Sequence, residues 1–328
     1  MENLMNTYSG LVTVLNSLNQ RAHTAFDTLR QGPDWQVRSD VTIPALRHAA
    51  LLMLVKDEAD CLGLNLRHHY RLGFRRFFIL DNNSTDGTDQ VIAHFRKDAP
   101  QADIFYAQDY QKPYYQAAKM QALHQFAETY LRHDANPPDW IFFVDADEFI
   151  TCCQRGQNAA EDFTRMVTDP EARLLMFHWA QAALVTSAPP YRLTSFGASL
   201  AETECVVWPA MREEVTKVAV RTGFGLTTGQ GNHFVEQPAL VEGHTRLMMD
   251  VGFCMLHFPY RSMPQVERKL LNGMDALRAS HLPPEMGQHW RVQYEQYQQG
   301  GQEALRRILA QHLALCLTTG QEQAPESR

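Results

Sequence analysis

The sequence predicts an α/β protein built on a mostly parallel sheet flanked by helices. Three observations lead there. Short apolar runs recur along the first half of the chain, at Ala49 to Val55, Phe77 to Leu80 and Trp140 to Val144, each with the length and continuity of a strand buried on both faces. Each run ends in a polar cluster: Lys56-Asp57-Glu58, Asp81 to Thr88, and Asp145-Ala146-Asp147-Glu148. A helical pattern follows each of the first two. Strand and helix in alternation argue for right-handed βαβ units.

The elements follow in order. Leu11, Val14, Leu15, Leu18 and Phe26 stand at helical spacings before the breaker run Gln31-Gly32-Pro33-Asp34, which predicts a helical N-terminal extension within residues 1–45. After the first strand, Asp57 is placed to cap a helix carrying Leu62, Leu66 and His69, stopped by Gly73. After the second, the turn-rich NNSTDGT leads into a helix through Val91, Ile92 and Phe95, with Asp86 as its cap. Asp103 to Tyr106 reads as a third strand, and Met120, Leu123, Ala127, Tyr130 and Leu131 mark a helix after Pro113. Beyond Thr151 come a helix at 158–168, a strand at 173–178, and an irregular stretch from Pro189 to Gly243 that reads as loops over a site rather than a new core. Helices are expected at 264–279 and 302–316, before a disordered tail at 319–328.

Composition narrows the function classes. With 328 residues, 45% hydrophobic and 20% charged, the chain has the make-up of an ordinary soluble globular protein of one large or two closely joined domains. A net charge of −7 disfavours a broad grip on a phosphate backbone, so nucleic acid is not an expected partner. Six scattered cysteines without a C-x-x-C pair point to a reduced, cytoplasmic setting. No signal peptide or transmembrane segment is expected, which leaves peripheral membrane contact open.

In an open parallel sheet, ligands bind outside the carboxyl ends of the strands, where the polar clusters fall. The third cluster is the most telling. Asp145 and Asp147 alternate at a strand end, and two neighbouring carboxylates repel unless something positive lies between them; a divalent cation shared with substrate phosphates meets that need. Strand-D-x-D also occurs in haloacid-dehalogenase-type phosphatases, but Phe149 stands where those carry a small hydroxyl or branched residue. Phosphate-loop and G-x-G-x-x-G fingerprints are both absent.

The segments LMLVKDEADCLGLNLRHHYRLGFRRFFILDNNSTDGT and DWIFFVDADEFI resemble the nucleotide-binding half of a family 2-like glycosyltransferase with the GT-A fold. The resemblance spans residues 48–150 and returns at LHFPYRSMPQVERKLLNG, Leu256 to Gly273. It implies a GT-A-like domain over 46–262, divided into a nucleotide-binding half (46–150) and an acceptor half (151–262), then a C-terminal helical region over 263–318. Asp57 and Glu58 would sit near the base and ribose of a nucleotide sugar, Asp81 would accept from a base edge, Asn83 and Asp86 would shape that loop, and Lys119 would approach the diphosphate. Asp57 departs from the Asn that many relatives carry. Asp145 and Asp147 resemble the metal and diphosphate motif, with Asp147 the direct ligand; His257 is implied as a third ligand, rivalled by His233, and Arg261 would close over the diphosphate.

For the acceptor base the candidates are Glu204, Glu213 and Glu214. Trp179, Trp208, Tyr191 and Phe196 offer an aromatic platform for a sugar, although ordinary core packing is the favoured reading of them. The implied activity is transfer, with inversion, from a nucleotide-diphosphate sugar to a hydroxyl acceptor on a glycan or glycoconjugate, with Mn²⁺ or Mg²⁺. Two alternatives stay open: a non-catalytic nucleotide-sugar or glycan-binding shell, and metal-dependent phosphoryl transfer.

Overall fold

The computed structural model describes residues 35–38, 41–111, 113, 115–154, 158–186, 192–209, 216–280 and 287–317. The helical pattern expected through Leu11 to Phe26 and the tail at 319–328 lie outside them. Within the expected N-terminal extension, Trp35–Arg38 is a strand, β1.

The first half of the sheet follows the pattern. Strands β2 (Ala49–Val55), β3 (Arg76–Asp81), β4 (Asp103–Gln108) and β5 (Trp140–Phe143) are all parallel, in the order β5-β2-β3-β4. Helices α1 (Ala59–Leu72), α2 (Thr88–Asp98) and α3 (Gln116–Leu131) connect them. The apolar runs are continuous because both faces are covered. Leu51, Met53, Phe77 and Ile79 pack with Leu62 and Leu66 of α1 and Ile92 and Phe95 of α2. Ala50, Leu52, Phe78, Ile141 and Phe143 pack on the opposite face with Met120, Leu123 and Ala127 of α3. Burying side chains of this size stabilises the fold by roughly 1.5–3 kcal/mol each.

The second half is mixed. It comprises β6 (Glu148–Gln154), β7 (Leu174–Ala183), β8 (Val206–Pro209), β9 (Thr216–Arg221), β10 (Thr245–Leu247) and β11 (Phe253–His257). The main path runs β1-β6-β11-β7-β9-β5-β2-β3-β4, with β8 and β10 both joined to β7. β7 and β11 are parallel, whereas β9 lies antiparallel between β5 and β7. β9 therefore corrects the expectation of loops throughout 189–243: it is a central strand whose residues Thr216 to Val220 are all buried. Lys217 at an inward position interrupts the apolar pattern that would have announced it.

Helix α4 (Ala159–Thr168) precedes β7, and α5 (Met263–Ala279), α6 (Gln288–Gly300) and α7 (Gln302–Leu317) follow β11. Two expected caps work differently. The first helix is capped by its neighbour: Ala59 N donates to Asp86 Oδ2 at 2.9 Å and Glu58 N to Thr88 Oγ1 at 3.2 Å, while Asp57 stands outside in the left-handed region at φ 53°. Gly87, at φ 93°, occupies the cap position of α2, and Asp86 Oδ1 accepts from Thr88 N at 3.1 Å. Gly73 does end α1; a Cβ there would meet Ile43 O at 2.2 Å.

Candidate active site

Two loops after β2 and β3 interlock through backbone amides. Asp57 Oδ1 accepts from Thr85 N at 2.7 Å, and its Oδ2 accepts from Asn272 Nδ2 of α5 at 2.6 Å. Burial alone would raise the Asp57 carboxyl, but Thr85, Asn272 and Lys56 outweigh it and hold it below its ordinary value. Asp81 Oδ1 accepts from Ser84 N at 2.8 Å and Oδ2 from the Tyr106 hydroxyl at 2.9 Å. Burial and Asp81 together push that phenol up to about 12. Asn83 is at φ 56°, and its carbonyl accepts from Lys56 Nζ at 2.5 Å.

The turn between β5 and β6 is built on charge. Lys217 Nζ, reaching in from β9, lies 2.7 Å from Asp145 Oδ2 and 3.1 Å from Glu148 Oε1. Glu148 is fully buried, which pushes its carboxyl up to about 8 despite the opposing pull of Lys217. Asp147 turns the other way. Its Oδ2 lies 3.0 Å from Lys269 Nζ, 3.5 Å from Arg261 Nη1 and 3.6 Å from His257 Nε2. Burial would raise Asp147, but Lys269, His257 and Arg261 hold it well below the usual carboxylate range. Burial lowers His257 to about 4, against the pull of Asp147, so its imidazole is neutral at neutral pH. Behind the turn, Asn65 Nδ2 donates to the carbonyls of Ala146 (3.0 Å) and Glu148 (2.5 Å), and Phe258 N donates to Asp147 O at 2.9 Å. These bonds tie α1 and β11 to the acidic turn.

One face of α5 serves both clusters. Gln265, Lys269 and Asn272 stand at i, i+4 and i+7. Gln265 Oε1 accepts from Arg261 N at 3.1 Å, Lys269 donates to Asp147, and Asn272 donates to Asp57.

The family model described as glycosyltransferase family 92 matches residues 56–275, a span that contains every group just described. The chain belongs to glycosyltransferase family 92. It is a glycosyltransferase of that family, where the sequence resemblance pointed to a family 2-like enzyme. No curated protein matches it in sequence. Among solved structures, it is similar to the mannosyltransferase PcManGT from Pyrobaculum calidifontis in complex with GDP-Man and Mn²⁺, at 13% identity, 95% of this chain, 87% of that chain and a TM-score of 0.39. A second likeness is to GalNAc-T7 with UDP, GalNAc and Mn²⁺, at 10% identity, 81% of this chain, 54% of that chain and a TM-score of 0.35. A third is to mannosyl-3-phosphoglycerate synthase from Rubrobacter xylanophilus, at 14% identity, 42% of this chain, 44% of that chain and a TM-score of 0.23. Among the described residues of the family 92 chain, no helix is long and apolar enough to cross a membrane.

The residues singled out in the sequence are only partly brought together. Asp57, Glu58, Asp81, Asn83 and Asp86 share the two interlocked loops of the family 92 chain. Asp147, His257 and Arg261 converge, but Asp145 is drawn to Lys217 and does not join them. Arg261 also bonds Glu58 and lies 2.9 Å from Asp60 Oδ2, so it is held by three carboxylates. Lys119 Nζ is taken up by Asn82 Oδ1 (3.0 Å), Gln111 O (2.7 Å) and Asp109 Oδ2 (2.8 Å), which occupies the three donors of an ammonium. His233 Nδ1 lies 2.6 Å from Thr216 O, and its ring leans on Trp179 rather than on Asp147. Glu204 is exposed on the segment before β8; Glu213 and Glu214 lie outside the described residues.

Among the described residues, three metal-ligating atoms come within 4.8 Å of one another only at Glu58, Asp60 and Cys61. Arg261 already balances those carboxylates, and burial keeps the Cys61 thiol protonated. The sequence reading missed Lys217 and gave no role to Lys269, Asn272 or Glu148, although Glu148 stands in the acidic cluster it singled out. A lysine inside an apolar strand, and an i, i+4, i+7 polar face on a helix beginning just after Arg261, are the signals that were present.

Proposed function

We propose that this family 92 enzyme moves a sugar from a nucleoside-diphosphate donor to a hydroxyl of a glycan or glycoconjugate, with inversion. The observation that carries the reading is the convergence of Asp147, His257, Arg261 and Lys269 at the carboxyl ends of β5 and β11, beside the loops of Asp57 and Asp81. Departure of a nucleoside diphosphate builds negative charge on the leaving oxygen, and fixed cations aimed at that point stabilise it. Lys269 supplies such a cation, while Arg261, shared among Glu58, Asp60 and Asp147, fixes the carboxylates beside it. Asp57, Glu58, Asp81, Asn83 and Asp86 would form the nucleoside side, reading hydroxyls and base edges through carboxylate oxygens and loop amides.

A divalent cation, Mn²⁺ or Mg²⁺, fits part of this set. Asp147 Oδ2 and His257 Nε2 are 3.6 Å apart, a gap that one ion with bonds of about 2.1 Å spans. Bound there, the ion would add its charge to the neutralisation of the diphosphate. Asp147 and His257 would hold it, while Asp145 stays with Lys217 and keeps the turn in shape. For the acceptor base, Glu204, Glu213 and Glu214 remain the candidates, each to be replaced by Gln.

The test is a thermal-shift panel of UDP, GDP, CDP, dTDP and ADP, with and without Mn²⁺ or Mg²⁺, on wild type and Asp147→Ala. Selective binding to the folded state raises its apparent stability. We expect a metal-dependent shift for one nucleotide, lost in the variant. No shift with any nucleotide at millimolar concentration, or an equal shift in Asp147→Ala, overturns the reading. The configuration of the product sugar, read by NMR, decides inversion.

A further inference from the structure

The charged cluster accounts for the diphosphate side of the site and leaves one adjoining patch without an explanation. β7 runs in the same direction as β5, because β9 is antiparallel to both, so its carboxyl end emerges at the edge that bears Asp147. β7 is also parallel to β11, in a register that sets Trp179 opposite Met255 and Gln181 opposite His257. Trp179 and Gln181, two residues apart, therefore share one face of the sheet. The side chains between and beyond them, Ala180 and Ala182, are fully buried on the other face. The Trp179 ring stacks on His257 at 3.9 Å between centroids and 20° between planes. His257 in turn lies 3.6 Å from Asp147.

Three polar atoms of this patch, Trp179 Nε1, Gln181 Oε1 and His257 Nδ1, are shielded from solvent yet have no hydrogen-bond partner among the described residues. A buried polar atom left unpaired costs about 1–3 kcal/mol, and native structures rarely leave several side by side. Their chemistry is complementary to a polyol: an obligate donor, an obligate acceptor, and an imidazole nitrogen that serves as either according to tautomer. A sugar hydroxyl donates one bond and accepts two, so neighbouring hydroxyls can satisfy all three atoms. The patch also lies on the far side of His257 from β6, next to the place where the diphosphate would be neutralised. A glycosyl group attached to a diphosphate held at Asp147 would extend from this cluster, and the patch borders the cluster on its β7 side.

We propose that Trp179 and Gln181 form the subsite that reads the hydroxyls of the transferred sugar, and so set which donor sugar is accepted. This rests on the reading of the site as a nucleotide-sugar site. Sites that hydrogen-bond a substrate hydroxyl discriminate strongly, because an analogue that lacks the group leaves the protein atoms unpaired.

The experiment compares, by calorimetry in the presence of Mn²⁺, each of UDP-glucose, UDP-galactose, UDP-N-acetylglucosamine and GDP-mannose with its bare nucleoside diphosphate. The proteins are wild type, Trp179→Phe and Gln181→Met, with melting temperatures recorded to confirm folding. Trp179→Phe keeps an aromatic ring but removes the N–H; Gln181→Met keeps the length but removes the carbonyl. Wild type is expected to bind one nucleotide sugar at least tenfold tighter than its nucleoside diphosphate. Each variant should bring that ratio close to one while leaving nucleoside-diphosphate affinity within twofold. A ratio unchanged in both variants overturns the inference, as does a wild-type ratio near one for every sugar, or equal weakening of sugar and bare nucleotide. All three outcomes leave the nucleotide site standing. If wild type binds none of the nucleotides, the site reading fails and this inference falls with it. Acceptor-free hydrolysis of the preferred donor gives a second readout: if the variants slow transfer but leave hydrolysis unchanged, the patch serves the acceptor and the proposal is wrong.

Discussion

The parallel half of the sheet and the mixed half both present carboxylates at one edge, yet they hold them by different physics. In the loops after β2 and β3, Asp57 and Asp81 are held chiefly by neutral donors: the amides of Ser84 and Thr85, the Tyr106 hydroxyl and the Asn272 amide. In the turn after β5, Asp145, Asp147 and Glu148 are held by full charges from Lys217, Lys269 and Arg261, reached from strands and helices far along the chain. A neutral hydrogen bond contributes about 0.5–1.5 kcal/mol net. Removing one partner of a buried ion pair is far more disruptive, because the other charge is left uncompensated. The loop site is thus assembled by increments, and the charged site largely stands or falls together.

The largest effect is expected where that difference is sharpest. Lys217 is 1% exposed, and Lys217→Met leaves Asp145 without its cation and leaves Glu148, already pushed up to about 8 by burial, to take up a proton. We expect a loss of about 3–5 kcal/mol in unfolding free energy, read from urea midpoints. Combining it with Glu148→Gln should recover part of the loss. A single-variant loss below about 1 kcal/mol would erase the contrast between the two regions.

A mid-sized effect concerns the layer behind the charged turn. His68 is buried, with Nε2 2.7 Å from Ile150 O, and burial lowers it to about 4 from an ordinary 6.5. The unfolded chain takes up this proton as pH falls through about 6.5, while the folded chain refuses it until about 4. Stability is therefore lost on acidification across that window, by about 3 kcal/mol if the whole shift is realised. Comparing wild type with His68→Gln at pH 7, 6 and 5 isolates this contribution from the other titrating groups. Parallel stability curves would show that His68 does not couple folding to pH.

The smallest effect belongs to the loop half. Thr85→Val removes a 3.3 Å hydroxyl contact to Asp57 but leaves the 2.7 Å amide bond in place. The expected cost is below about 1 kcal/mol by chemical denaturation. A larger loss would mean that the loop site is as cooperative as the charged one.

The same division explains what could be read from the chain. The four parallel strands and their helices were legible because double-sided burial leaves an uninterrupted apolar run and each turn carries its own chemistry. Helices α4, α5 and α7 lie within a residue or so of their expected bounds for the same local reason. β9 was not legible, because its one lysine is paid for by partners in and just after the turn between β5 and β6. Helix α6 was missed as well: its sequence is mostly polar, and it docks where Gly273 of α5 brings the Trp290 ring within 2.9 Å of the place a Cβ would occupy.

By itself the sequence determined the α/β framework, the strand ends that carry Asp57, Asp81 and Asp147, and membership of a sugar-transferring class, since these depend on periodicity and motifs within a few tens of residues. Only the tertiary structure decided that Asp145 serves Lys217 while Asp147 faces His257, Arg261 and Lys269, that Lys119 is used up within its own loops, and that Trp179 and Gln181 stand beside His257. Those choices depend on which charges and polar atoms the sheet order brings within hydrogen-bonding distance, and a register between distant strands has no signature in either strand alone.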